Sequence, residues 1–153
     1  MSCLLDTSIL ARLANASDAQ NTVAVHAVEQ LHREGEALSI SPQNIVEFWN
    51  VASRPVSVNG LGLSPDEVAR LVALFESRFV IVPETPAIYV GLKNILAGAQ
   101  VIGKQVHDAQ LVAICHANNI ARFLTFNVRH FDRFTTTPPG VDVIHPQSFR
   151  GSS

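Results

Sequence analysis

Short apolar runs separated by helix-length segments constrain this chain more than any other feature. SCLL (2–5), ALSI (37–40), FVIVP (79–83), RFLTF (122–126) and VDVI (141–144) are each the length of a buried strand. The spacers read as helices. Thr7 to Asn15 is a short one, and Asp18 is expected to cap another that runs to about Glu34 and ends at Gly35. Ser41-Pro42, a cap followed by a first-turn proline, opens a helix to Ser53 that Arg54-Pro55 breaks. Ser64-Pro65-Asp66-Glu67 opens the next, to about Arg78, and two more are expected over 86–99 and 106–119. VSVNGLGL (56–63) and TTTPPG (135–140) read as loops. Strands alternating with helices predict an α/β domain with a largely parallel sheet, whose ligand sites gather outside the carboxyl ends of the strands.

The 153 residues fit one domain, with a short tail expected from about residue 146. A formal net charge of −2 excludes a broadly basic nucleic-acid binder, so any hold on a polyanion is local or metal-mediated. Positive charge is relatively concentrated late. Residues 1–103 hold six Lys/Arg against ten Asp/Glu, and residues 104–153 five against three. Cys3 and Cys115 lack metal-ligand spacing and read as reduced core thiols of a cytoplasmic protein. Asp6 and Arg12 interrupt the apolar stretch near the start, so neither a secretory leader nor a membrane span is expected.

Against 47% hydrophobic residues, a few polar groups look out of place. Asp6 follows the first strand, where it is either a helix cap or a functional carboxylate. On the helix 42–53, Ile45, Phe48, Trp49 and Ala52 share one face, with Val46 and Val51 on its flanks. The remaining polar stripe of Gln43, Glu47, Asn50 and Arg54 is narrow, as on the wall of a cleft. Asp108 opens a helix that is apolar nearly all round, and so either caps it or faces a site at its edge. Asn127 follows the fourth strand in a turn. An α/β sheet would bring these groups to one edge. Carboxylates gathered there repel, and a hard divalent cation with oxygen ligands resolves the conflict.

Four segments resemble the PIN domain, a nuclease fold found in VapC toxins of toxin–antitoxin pairs. LLDTSIL (4–10) is similar to its opening strand and first acid, NIVEFWNVASRP (44–55) to the helix with its second. VHDAQLVAICHANNI (106–120) resembles the third motif and LTFNVRHFDRF (124–134) the closing one. The resemblance spans essentially the whole chain and implies a three-layer α/β/α sandwich of about five strands. It implies a ribonuclease with Asp6, Glu47, Asp108 and Asn127 in the catalytic positions, and Mg²⁺ or Mn²⁺ held by Asp6, Asp108 and Glu47. Asn127 stands at the fourth acidic position and brings no charge, which favours a single metal; Asp132 is a weaker substitute. Thr7 or Ser8 would steady the Asp6 carboxylate or touch phosphate; Arg54, Arg129, His130 and Arg133 read either as further phosphate contacts or as solvated surface charge. Implied partners are RNA, a small antitoxin that blocks the acids, and a second copy joined through helices of the first half.

Other chemistries fit less well. Cys115-His116 are adjacent on a helix and point about 100° apart, without an activating partner. His107-Asp108 has no second histidine cluster, and Gly60-Leu61-Gly62 lacks the third glycine of a dinucleotide loop. The rival of a different class is a PIN fold that binds RNA or protein without cutting.

Overall fold

The computed structural model describes residues 1–136 and 138–149. Five strands, all parallel, form one sheet in the order β3-β2-β1-β4-β5. They are β1 (Ser2–Leu5), β2 (Ala37–Ile40), β3 (Val80–Ile81), β4 (Arg122–Leu124) and β5 (Asp142–Ile144). Between them run α1 (Thr7–Leu13), α2 (Asn21–Arg33), α3 (Pro42–Ser53), α4 (Pro65–Arg78), α5 (Pro86–Gly98), α6 (Gln105–Ala117) and the one-turn α7 (Val128–Phe131). The expected three-layer α/β/α sandwich is what forms.

Alternation along the central strand divides the core. Cys3 and Leu5 pack with residues of α1 to α4 on one face, whereas Leu4 packs with α5 and α6 on the other. Parallel register carries the division into β4. Leu4 pairs with Phe123 in the second cluster, and Leu5 with Leu124 in the first. With helices on both faces, β1 is apolar beyond Ser2, and Cys3, Leu4 and Leu5 are fully buried. No described helix is long and apolar enough to cross a membrane.

The order 3-2-1-4-5 reverses at β1, so the crevice between the ends of β1 and β4 is the topological switch point of the sheet. Asp6 N–H donates to the Leu124 carbonyl at 2.9 Å, which keeps the two strands paired up to that crevice.

Several boundaries differ from expectation. Asp18 caps no helix directly: its Oδ1 accepts from Gln20 N–H at 2.7 Å, a local turn that delays α2 to Asn21. FVIVP forms a strand only over Val80–Ile81, at the edge of the sheet, although Val82 N–H still donates to the Ile40 carbonyl at 3.0 Å. RFLTF stops pairing as a strand at Leu124, and Val56–Val58 is a short 3₁₀ turn within the expected loop. α3 is less buried than its pattern suggests. Phe48 and Ala52 are fully buried, but Trp49 is 37% and Val46 69% exposed, while Asn44 is fully buried. The expected tail is packed as far as Phe149, whose carbonyl lies 3.0 Å from His26 Nε2 on α2. Residues 150–153, and Thr137 in TTTPPG, lie outside the described residues.

Candidate active site

A cavity of about 670 Å³ opens at the switch point, and Asp6, Glu47, Asp108 and Asn127 all line it. They arrive from the ends of β1 and β4, from α3, and from the first turn of α6. Thr7, Ser8 and Arg54 line it too; Arg129 is exposed and does not. Arg12, Lys104, His107 and His130 also line the polar wall; of these only His130 was raised from the sequence, as a phosphate contact, and Arg12 and Lys104 were not singled out as site residues.

Asp6 has the backbone position of an N-cap on α1 but makes no capping hydrogen bond. Its Oδ2 instead accepts from Ser8 Oγ at 2.8 Å and Thr125 Oγ1 at 2.7 Å. A carboxylate oxygen can only accept, so each hydroxyl gives its single proton to Asp6. Each hydroxyl oxygen in turn accepts from the backbone, Ser8 Oγ from Phe126 N–H at 3.2 Å and Thr125 Oγ1 from Asn127 N–H at 3.0 Å. Oδ1 is left without a hydrogen bond among the described residues. Ser8 and Thr125 thus both touch the Asp6 carboxylate, and Thr125 was not among the residues raised from the sequence.

Thr7 acts elsewhere than expected. Its Oγ1 donates to Glu47 Oε1 at 2.8 Å and accepts from Asn44 Nδ2 at 3.2 Å. Successive residues on the first turn of α1 point in different directions, so Thr7 and Ser8 serve different acids. Across the site, Gln43 Nε2 donates to the His107 carbonyl at 3.0 Å and ties α3 to α6. Arg54 Nη2 donates to the Asn59 carbonyl at 3.0 Å, fixing the loop after α3 beside the cavity.

The charges are strained by design of the fold. Burial pushes the Glu47 carboxyl above its usual range, against a hydrogen bond from Thr7, while Asp6 raises it further. Burial also raises Asp108, opposed by the charge of His130, and Asp6 and Glu47 add to the rise. Among the described residues no Lys, Arg or His forms an ion pair with any of the three acids. The donor set is hard oxygen, suited in kind to Mg²⁺ or Mn²⁺, and the unmatched negative charge calls for a cation. Among the described residues, no three Asp, Glu, His or Cys side chains converge into a ready-made cage.

A family model for the PIN domain matches residues 3–136. The chain belongs to the PIN domain family. Solved structures with this fold are similar over 80% or more of the PIN chain. VapBC2 from Rickettsia felis, bound to a DNA fragment from its promoter, has a TM-score of 0.72 and 17% identity, covering 95% of this chain and 98% of that one. VapBC-1 from nontypeable Haemophilus influenzae has a TM-score of 0.65 and 17% identity, covering 96% and 99%. VapC20 of Mycobacterium tuberculosis, a sarcin-ricin loop cleaving toxin, has a TM-score of 0.58 and 18% identity, covering 80% and 87%. At such identities the likeness speaks for the fold alone. No curated protein sequence matches the chain.

Proposed function

We propose that this PIN chain acts as one domain, an endoribonuclease that hydrolyses RNA phosphodiesters with Mg²⁺ or Mn²⁺, and that it is the toxin of a toxin–antitoxin pair. The observation that carries the reading is the meeting of Asp6, Glu47 and Asp108 on one cavity without a cation partner. Buried like charges cost stability unless something rewards them, and a divalent cation does.

Asp6, Glu47 and Asp108 would hold the metal, with the amide oxygen of Asn127 as a neutral neighbour. When bound, the cation lowers the pKa of a water and offsets charge on the phosphoryl oxygens. Ser8 and Thr125 fix Asp6 on one oxygen, leaving the other to ligate. Arg54 and the rim residues Arg12 and Lys104 offer positive charge to flanking phosphates. Arg129, outside the cavity wall, would meet RNA only further along the strand.

An antitoxin is proposed from the VapBC likeness. α3 presents the exposed Val46 and Trp49 beside the acids, an apolar margin against which a partner segment would lie. A second copy, joined through helices of the first half, is proposed on the resemblance to the family. The rival reading, binding without cleavage, draws on Asn127, the uncharged member of the set.

A mixed RNA pool incubated with purified protein and Mg²⁺ or Mn²⁺ separates the two. Cleavage that disappears with EDTA and in Asp108→Asn is the expected result. Metal binding without any cutting of the pool would favour the binding module.

A further inference from the structure

Asn44 touches neither the cavity nor any of the acids, yet it is fully buried and all its polar groups are engaged. Its Oδ1 accepts from Ser41 N–H at 3.0 Å and from Ser41 Oγ at 2.8 Å, while its own N–H donates to Ser41 Oγ at 3.1 Å. These are the bonds of a capping box at the start of α3, a role that Gln or Glu usually takes. The backbone N–H of Ser41 can only donate, so the oxygen of the Asn44 amide must face it. The NH₂ group is thereby aimed outward, at Thr7 Oγ1, 3.2 Å away.

The rest follows from counting protons. Thr7 has one hydroxyl proton, and toward Asn44 it must accept. Its proton is free for Glu47 Oε1, at 2.8 Å. A directed chain therefore runs from the Ser41 backbone through Asn44 and Thr7 to the carboxylate, crossing from α3 to α1 and back. Glutamate has three rotatable bonds and loses entropy when held in one rotamer, so an oriented donor matters more for Glu47 than for the shorter Asp6.

We propose that Asn44 is a positioning residue of the site: through Thr7 it fixes where the Glu47 carboxylate points, and so tunes how tightly the divalent cation is held. The inference rests on the assignment of Glu47 to the metal-holding acids. It separates Asn44, which directs the relay, from Ser41, which shares the cap but leaves the relay in place when its hydroxyl is removed.

The test is Mn²⁺ titration followed by the electron paramagnetic resonance of free Mn²⁺, alongside melting curves and cleavage of a mixed-sequence, fluorophore–quencher RNA. Asn44→Ala and Thr7→Val should each weaken Mn²⁺ binding by roughly 10- to 100-fold, the usual range for groups that orient ligands. Both should lower kcat with KM for the RNA unchanged. Thr7→Ser, which keeps the hydroxyl, should bind Mn²⁺ as the wild type does. Ser41→Ala should lose melting temperature as Asn44→Ala does, yet keep its Mn²⁺ affinity to within about twofold.

Wild-type Mn²⁺ affinity in Thr7→Val overturns the relay, and this variant decides the matter if Asn44→Ala does not fold. A loss of affinity in Ser41→Ala as large as in Asn44→Ala also overturns it, because the cap alone would then be responsible. Glu47→Gln separates the two levels. If it binds Mn²⁺ normally, the assignment of Glu47 falls and takes the relay with it; if it binds weakly while Thr7→Val is silent, only the relay falls. A wild-type protein that binds no Mn²⁺ overturns both.

Discussion

The two ends of the sheet treat their acids in opposite ways. At the amino end, Glu36 is nearly as buried as Asp6, and its Oε1 accepts from Arg122 Nη1 at 2.8 Å, with Glu34 3.8 Å from the same nitrogen. At the carboxyl end, Asp6, Glu47 and Asp108 share a cavity, and among the described residues none of them forms an ion pair with the Lys, Arg or His side chains around it. β1 and β4 reach both ends, Arg122 pairing in register with Cys3 and Leu124 with Leu5. A paired acid at one end supports the fold; unpaired acids at the other cost stability and are available for chemistry. Position along the same strands, within about 10 Å at ~3.3 Å per residue, separates the two uses.

The largest effect expected from this contrast is on the unpaired side. Asp108→Asn should lower RNA cleavage by roughly a thousandfold, as expected when a metal contributes several kcal/mol to the transition state. In EDTA the same variant should melt at a higher temperature than the wild type, since it removes a half-buried charge facing two others. A lower melting temperature would mean that Asp108 supports the fold and would break the contrast.

Thr125→Val comes next, because Asp6 would keep only the Ser8 donor on Oδ2. A loss of 10- to 100-fold in activity or metal affinity is expected, read from Mn²⁺ titration and initial rates. On the paired side, Glu36→Ala should destabilise by about 2 kcal/mol in urea titration while cleavage by the folded protein persists. The figure is reduced because Arg122 is about one-fifth exposed and because Glu36 Oε2 already lacks a partner among the described residues. Lost activity in fully folded Glu36→Ala would show that the two ends are coupled.

Smaller effects concern the layers between. Burial raises the Cys3 thiol to about 12 and pushes Cys115 up as well, so neither should react with iodoacetamide at pH 8 until the protein unfolds. Mass spectrometry of native and urea-treated samples would check this. His116 is shifted below its ordinary 6.5 by burial, and its Nε2 has no hydrogen-bond partner among the described residues. Near and below pH 6.5 the unfolded chain takes up a proton that the folded one resists, so stability should fall with pH there. His116→Asn should flatten that part of the melting-temperature profile; an unchanged slope would remove His116 as its cause.

What the sequence determined by itself was set by local physics. Strand-length apolar runs, the Ser41-Pro42 and Ser64-Pro65 starts and the apolar girth of α6 fixed the elements and their alternation, and hence the α/β class. Polar residues at odds with apolar surroundings marked Asp6, Glu47 and Asp108, because a carboxylate in such a setting is costly wherever the chain goes. Tertiary structure decided what depends on two distant segments meeting. Whether Asp6 caps a helix or faces a cavity was settled by Thr125, which lies 119 residues away and closes on Oδ2. Thr7, adjacent to Asp6, was drawn to Glu47 because Asn44 turns its hydroxyl that way. Threonine, asparagine and serine are at home in turns and caps, so nothing in their own sequence neighbourhood says which carboxylate they will hold. Arg12, Lys104 and Arg129 are likewise indistinguishable as solvated charges until the fold puts the first two on the cavity wall and leaves the third outside it. Hydrogen bonds act over about 3 Å, and only the folded chain fixes distances that small between residues so far apart in sequence.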